Sequence, residues 1–158
     1  MTKQRRLSVP ITALVAVLAT PVASWWLVGD LTDDSIVAGE TGVSHVIRPV
    51  SLGPVGDPLV GVLACVAVVV GLAWLVRATS KRRLDARWWW VLAPLVAAGV
   101  LVGLAGRVLT AGVVDANIGA GLALIVGGPV LLVLLTVAAA AALHLRRSRA
   151  RHDHSGTA

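Results

Sequence analysis

Four stretches of this chain contain no Asp, Glu, Lys or Arg: Ser8 to Val28, Pro58 to Val76, Trp88 to Gly106 and Asn117 to Leu145. Each is at least 19 residues long, enough for a helix rising about 1.5 Å per residue to cross a hydrocarbon core of roughly 30 Å. The residues outside them are too few to build a soluble core. Composition agrees, since 57% of the 158 residues are hydrophobic and the mean hydropathy is +0.86, beyond the range of soluble domains. The sequence therefore predicts an all-α integral membrane protein, a four-transmembrane-helix bundle with spans at about 8–28, 58–76, 88–106 and 117–145. Soluble enzyme classes are excluded.

Charge placement sets the expected orientation. Of the 14 basic residues, Lys3, Arg5 and Arg6 precede the first span, Arg77, Lys81, Arg82, Arg83 and Arg87 lie between the second and third, and Arg146, Arg147, Arg149 and Arg151 follow the fourth. Only Arg48 and Arg107 fall in the alternate connections. The positive-inside rule then predicts a multi-pass protein of the cell membrane with both termini cytoplasmic, N-in/C-in. Residues 1–7 read as a cytoplasmic N-terminal tail, 77–87 as an inner basic loop and 146–158 as a disordered basic cytoplasmic tail. Residues 29–57 and 107–116 become outer loops. All six tryptophans, Trp25, Trp26, Trp74, Trp88, Trp89 and Trp90, lie at ends of the apolar runs, where an amphipathic ring anchors at the headgroup level. Twelve Arg against two Lys, with no Phe or Tyr, reads as the bias of a high-GC bacterial genome.

The first run has a competing reading as a secretory signal, with Thr2 to Arg6 as basic region, Ile11 to Ala19 as apolar core and Val22-Ala23-Ser24 as small-residue cleavage site. Apolar character continues through Trp25 to Val28, which suits a span better. The outer loop 29–57 is short and acidic, with Asp30, Asp33, Asp34, Glu40 and Asp57 set against Arg48. Ser35 to Ala38 and Val43 to Ile47 have the composition of a small hairpin. Pro49, Gly53-Pro54 and Gly56-Asp57-Pro58 predict a turn-rich return to the membrane.

Two small-residue stripes stand out. Gly99, Gly103 and Gly106 share one face of the third span, and Gly119, Ala123 and Gly127 share one face of the fourth. Their expected role is helix packing, third span against fourth, with homo-oligomerisation as the alternative. Gly127, Gly128 and Pro129 predict a kink or unwound turn near the middle of the fourth span. Arg107 reads as an orienting charge near the outer interface, paired with Asp115 or a lipid phosphate, or else as a functional one. The inner loop residues Arg77, Lys81, Arg82, Arg83 and Arg87 suit contact with anionic lipid headgroups on the cytoplasmic side.

The single cysteine, Cys65, sits in mid-span and excludes disulfide and cysteine-cluster chemistry. The carboxylates and His45 of the outer loop match no calcium or zinc spacing, and His152-Asp153-His154 is a weak exposed pair. No catalytic, metal or cofactor-binding residue is expected, and no cofactor. Eleven loop residues tethered at both ends leave no room for a groove-reading element, so nucleic acid is not an expected partner. The leading expectation is a non-enzymatic membrane protein of a bacterial envelope, an accessory subunit or interaction scaffold that meets a homo-oligomer or membrane-protein partner. The alternatives are a small oligomeric transporter or channel and, third, an enzyme acting at the outer face.

Overall fold

The computed structural model describes residues 3–29, 53, 55–82, 84–110 and 116–155. Four long helices make it up: α1 (Lys3–Leu27), α2 (Gly56–Ser80), α3 (Trp89–Thr110) and α4 (Ala116–Ser155), with a 3-10 turn (Ala86–Trp88) leading into α3. Each contributes a segment long and apolar enough to cross a membrane, Val9–Leu27, Gly56–Ser80, Ala86–Thr110 and Gly121–Ser148. This is an all-helical, multi-pass membrane protein among the described residues. The hairpin expected between Ser35 and Ile47 lies outside them.

The helices outrun the apolar runs that predict them. Lys3 to Leu7 belongs to α1 rather than to a tail, Arg77 occupies the last turn of α2 rather than the loop, and Arg107 the last turn of α3. The stretch expected to be irregular after Leu145 continues α4 to Ser155. Ala, Leu and Arg have the highest helix propensities and nothing breaks the chain before Gly156, so backbone hydrogen bonding continues past the apolar limit. Stops are local. Gly29, at φ +74°, ends α1 in the left-handed conformation and its N–H donates to the Trp26 carbonyl at 3.1 Å. At the start of α2, Asp57 sits in the first turn, where a carboxylate favours the positive helix end, followed by Pro58, which needs no N–H there.

Helix order follows from glycine contacts. A Cβ added at Gly71 of α2 would lie 3.0 Å from Ala16 Cβ, and one at Gly61 would fall within the indole of Trp26. Numbers fall along α2 as they rise along α1, so these two helices are antiparallel. On α3, a Cβ at Gly99 would meet Thr20 Cβ at 3.1 Å and Pro21 Cδ at 3.3 Å, and one at Gly106 would meet Trp25 Cδ1 at 3.7 Å. Here numbers rise together, so α1 and α3 are parallel. The Gly99, Gly103, Gly106 stripe therefore packs on α1, not on α4 as the sequence suggests. Its complement on α1 is Thr20, which is buried, with Pro21, Ser24 and Trp25, whereas Ala16 faces α2. Such matching matters because lipid tails give helices no hydrophobic reason to associate, leaving close van der Waals contact as a main attraction.

The helices are not packed all against one another. Extensive interfaces join α1 to α2, α1 to α3 and α3 to α4, but not α2 to α4. The four helices form an open row in the order α2, α1, α3, α4. Only 6% of the apolar segment of α4 is buried, against 28% for α3. Gly127 faces Leu101 of α3 at the edge of contact, 4.0 Å from a Cβ to Leu101 Cδ1, while Gly121 and Gly128 face open space. Nor is there an unwound turn at Gly127-Gly128-Pro129, because α4 runs through Pro129 without interruption. Backbone bonds on the flanking turns hold a proline-containing helix together where no neighbour competes for them.

Candidate functional site

The polar chemistry of the described residues concentrates at the two ends of the helix row. At the end where α1 and α3 finish, Trp25 Nε1 donates to Thr110 Oγ1 at 3.5 Å, and Thr110 Oγ1 in turn donates to the Gly106 carbonyl at 3.0 Å. Arg107 Nε donates to the Gly29 carbonyl, and its guanidinium carbon sits 5.0 Å from the centroid of the Trp25 ring. Because α1 and α3 are parallel, two helix carboxyl ends, each carrying partial negative charge, lie side by side here. Arg107 places one cation between them. It caps the exit of α1 beside α3. Asp115 lies outside the described residues.

A similar relay closes the opposite end. Trp89 Nε1 donates to Thr79 Oγ1 at 3.0 Å, and Thr79 Oγ1 donates to the Leu75 carbonyl at 3.0 Å. In each case an indole N–H reaches a threonine hydroxyl on a neighbouring helix, and that hydroxyl is bonded back to its own helix four residues earlier. The relay satisfies the indole without exposing a new polar atom to lipid. Between α2 and α3 the chain turns tightly. Lys81 N–H donates to the Arg77 carbonyl at 3.0 Å, Arg82 N–H to Thr79 at 2.9 Å and Leu84 N–H to Ala78 at 3.2 Å. Asp85 accepts from the Arg87 N–H at 3.0 Å and so caps the 3-10 turn.

Arg82 is the one non-glycine residue at positive φ among those described, at 54°. A side chain in the left-handed region costs about 1–2 kcal/mol, and a glycine gives back about 0.5–1 kcal/mol of that in extra chain freedom. Arg82→Gly is therefore expected to raise stability by roughly 0.5–1 kcal/mol, read as a higher melting temperature in detergent.

The interfacial tryptophans prove unequal. Trp25 and Trp26 are half-buried against α3 and α2, Trp89 is bonded to α2, and Trp74 and Trp88 are half-buried, whereas Trp90 is 73% exposed. Arg77, Lys81, Arg82 and Arg87 are exposed around them, and Arg83 lies outside the described residues. Of the two stripes, Gly99, Gly103 and Gly106 contact α1, Gly127 touches α3 loosely, Ala123 is half-buried, and Gly119 belongs to the first turn of α4. Sequence reasoning overlooked Gly61 and Gly71. With Ala64, Leu75 and Ala78 they form the buried face of α2, a signal readable from the intervals of three, four and seven between them.

No protein-family model matches the chain, and neither a curated protein nor a solved structure does. Among the described residues no three His, Cys, Asp or Glu side chains gather as a metal site would require, and Cys65 is a half-buried free thiol. What the two ends do chemically is hold helices in register.

Proposed function

We propose that this chain is a non-enzymatic membrane module of a bacterial envelope, an accessory subunit or scaffold that presents helix surfaces to another membrane protein. The observation that carries this reading is the open row. An outermost helix of 40 residues, α4, rests on one neighbour, and its glycines at 121 and 128 leave its backbone bare on a face that no part of the described chain covers. A self-contained carrier would be expected to close its helices around a path, and the continuity of α4 through Pro129 weighs against the broken helix of many transporters.

In the proposed orientation the end carrying Arg77, Lys81, Arg82, Arg87, Arg146 and Arg147 faces the cytoplasm and its anionic headgroups, and the acidic segment 30–52 faces outward. Cysteines introduced as Ser44→Cys and Ser51→Cys should react with impermeant thiol reagents in intact cells, whereas Ser80→Cys and Ser148→Cys should not. Labelling at position 80 would reverse the orientation. The scaffold reading is tested by affinity purification of the full chain in mild detergent. A membrane protein should co-purify in fixed ratio and be lost on Gly128→Leu or Gly121→Leu. Recovery of the chain alone, with a saturable flux after reconstitution, would favour the transporter.

A further inference from the structure

The succession of basic, apolar and small residues that resembles a secretory signal lies within the helix on which the row depends. α1 is the shared neighbour of α2 and α3, which have no extensive interface of their own. Removing α1 would leave α2 joined to the pair α3 and α4 mainly at the turn between them, through Trp89 and Thr79. Yet the sequence around Ser24 meets the size rule of a signal cleavage site, with Val22 and Ser24 at the two positions that must be small or short. The structure places this segment where a peptidase cannot use it. Val22 to Ser24 is helical, Ser24 Oγ is bonded back to the Thr20 carbonyl at 2.9 Å, and Ala23 is 5% exposed. Ser24 and the Trp25 N–H press against Gly103, where an added Cβ would lie 2.7 Å from Ser24 Cβ and 3.0 Å from Trp25 N. Trp25 is held further by Thr110 and Arg107.

We propose that the Ser24–Trp25 peptide bond is a cryptic signal-peptidase site that docking of α3 conceals. Cleavage by an envelope signal peptidase adds water across that amide, leaving a carboxylate on Ser24 and an amine on Trp25, and it requires an unwound segment. Proteolysis of this kind follows the population of the open form, so an undocked chain is cut and a docked chain is kept. The close contacts at Gly99 and Gly103 convert correct packing of α3 into retention of α1. The inference rests on the proposed orientation, which puts Trp25 on the outer face where such signals are cut.

The test uses pulse-labelled cells expressing the full chain with a tag at each end. The wild type should keep both tags on one chain. Gly103→Leu and, independently, Gly99→Leu force α3 away from α1, and an overpacking penalty in the usual range raises the undocked fraction about tenfold or more. Both variants should therefore yield a shortened product that begins at Trp25 and disappears when a signal-peptidase inhibitor is present. Val22 is 38% exposed, so Val22→Phe can block recognition without entering the helix contact. Adding it to Gly103→Leu should restore the full-length chain. A wild type that is cut, or glycine variants that give no product beginning at Trp25, would overturn the proposal. Labelling of Ser44→Cys in the same cells reports the orientation separately, so an inverted chain is told apart from one correctly inserted and resistant to cleavage.

Discussion

Gly103→Ala is expected to destabilise the protein in detergent by about 3 kcal/mol, at the upper end of overpacking costs, although it adds one methyl group. The reason lies in what that methyl meets. An added Cβ would run into the Pro21 carbonyl oxygen and come within 2.7 Å of Ser24 Cβ, and a backbone oxygen in a helix cannot swing aside as a side chain can. At Gly99 the nearest atoms belong to the Thr20 side chain, at 3.1 and 3.2 Å, so Gly99→Ala should cost less, about 1 kcal/mol. At Gly127 a Cβ stands 4.0 Å from Leu101 Cδ1, and at Gly121 and Gly128 it meets nothing. Alanine there should be neutral or stabilising by up to about 1 kcal/mol through helix propensity alone. Thermal melts of the five single variants in one detergent check the ranking. A Gly103→Ala protein that melts with the wild type would mean that α1 and α3 do not pack through this stripe.

The same ranking shows what the sequence made legible and what it did not. Four apolar runs report the number of spans directly, because helix length and hydrocarbon thickness are fixed quantities. The stripe at Gly99, Gly103 and Gly106 was likewise readable as a contact face. Its partner was not, since a small-residue stripe records that some backbone approaches without recording which one. Adjacency in sequence favoured α4. The structure instead pairs the stripe with Thr20, Pro21 and Ser24 of α1, residues that blend into the signal-like region in which they occur. Arg107 shows the same limit. Its depth near a helix end was predictable from the length of the third span, but the bond it makes to the backbone carbonyl of Gly29, on a distant segment, was not, because carbonyls carry no sequence signature. Span ends were least legible, because Arg77 and Arg107 are good helix formers that also belong at a membrane interface.

Arg107→Gln is expected to loosen the end of the row where α1 and α3 finish. It removes a charged hydrogen bond to Gly29, worth about 1.5–3 kcal/mol, together with a cation–π contact to Trp25 worth about 0.5–1 kcal/mol at a partly exposed site. The total loss should be near the lower figure for a charged bond, since glutamine retains some hydrogen bonding and water reaches this end. Arg107→Lys keeps the charge near two helix carboxyl ends but loses the planar fork, so it should recover only part of the difference. Trp25→Leu also removes the bond to Thr110, and the double variant Arg107→Gln, Trp25→Leu should cost less than the two single changes together, by about 0.5–1 kcal/mol, because the cation–π contact is counted in both. The cycle with Asp115→Asn should instead be additive if Gly29 and Trp25 account for the position of the guanidinium. Non-additivity with Asp115 would support the ion pair that the sequence suggests. Insertion should be unaffected in every case, since the charge lies at a helix end. Stability and transport then separate cleanly: in reconstituted vesicles a scaffold loses melting temperature on Arg107→Gln and has no flux to lose, whereas a saturable flux abolished by the same change would make Arg107 part of a translocation path.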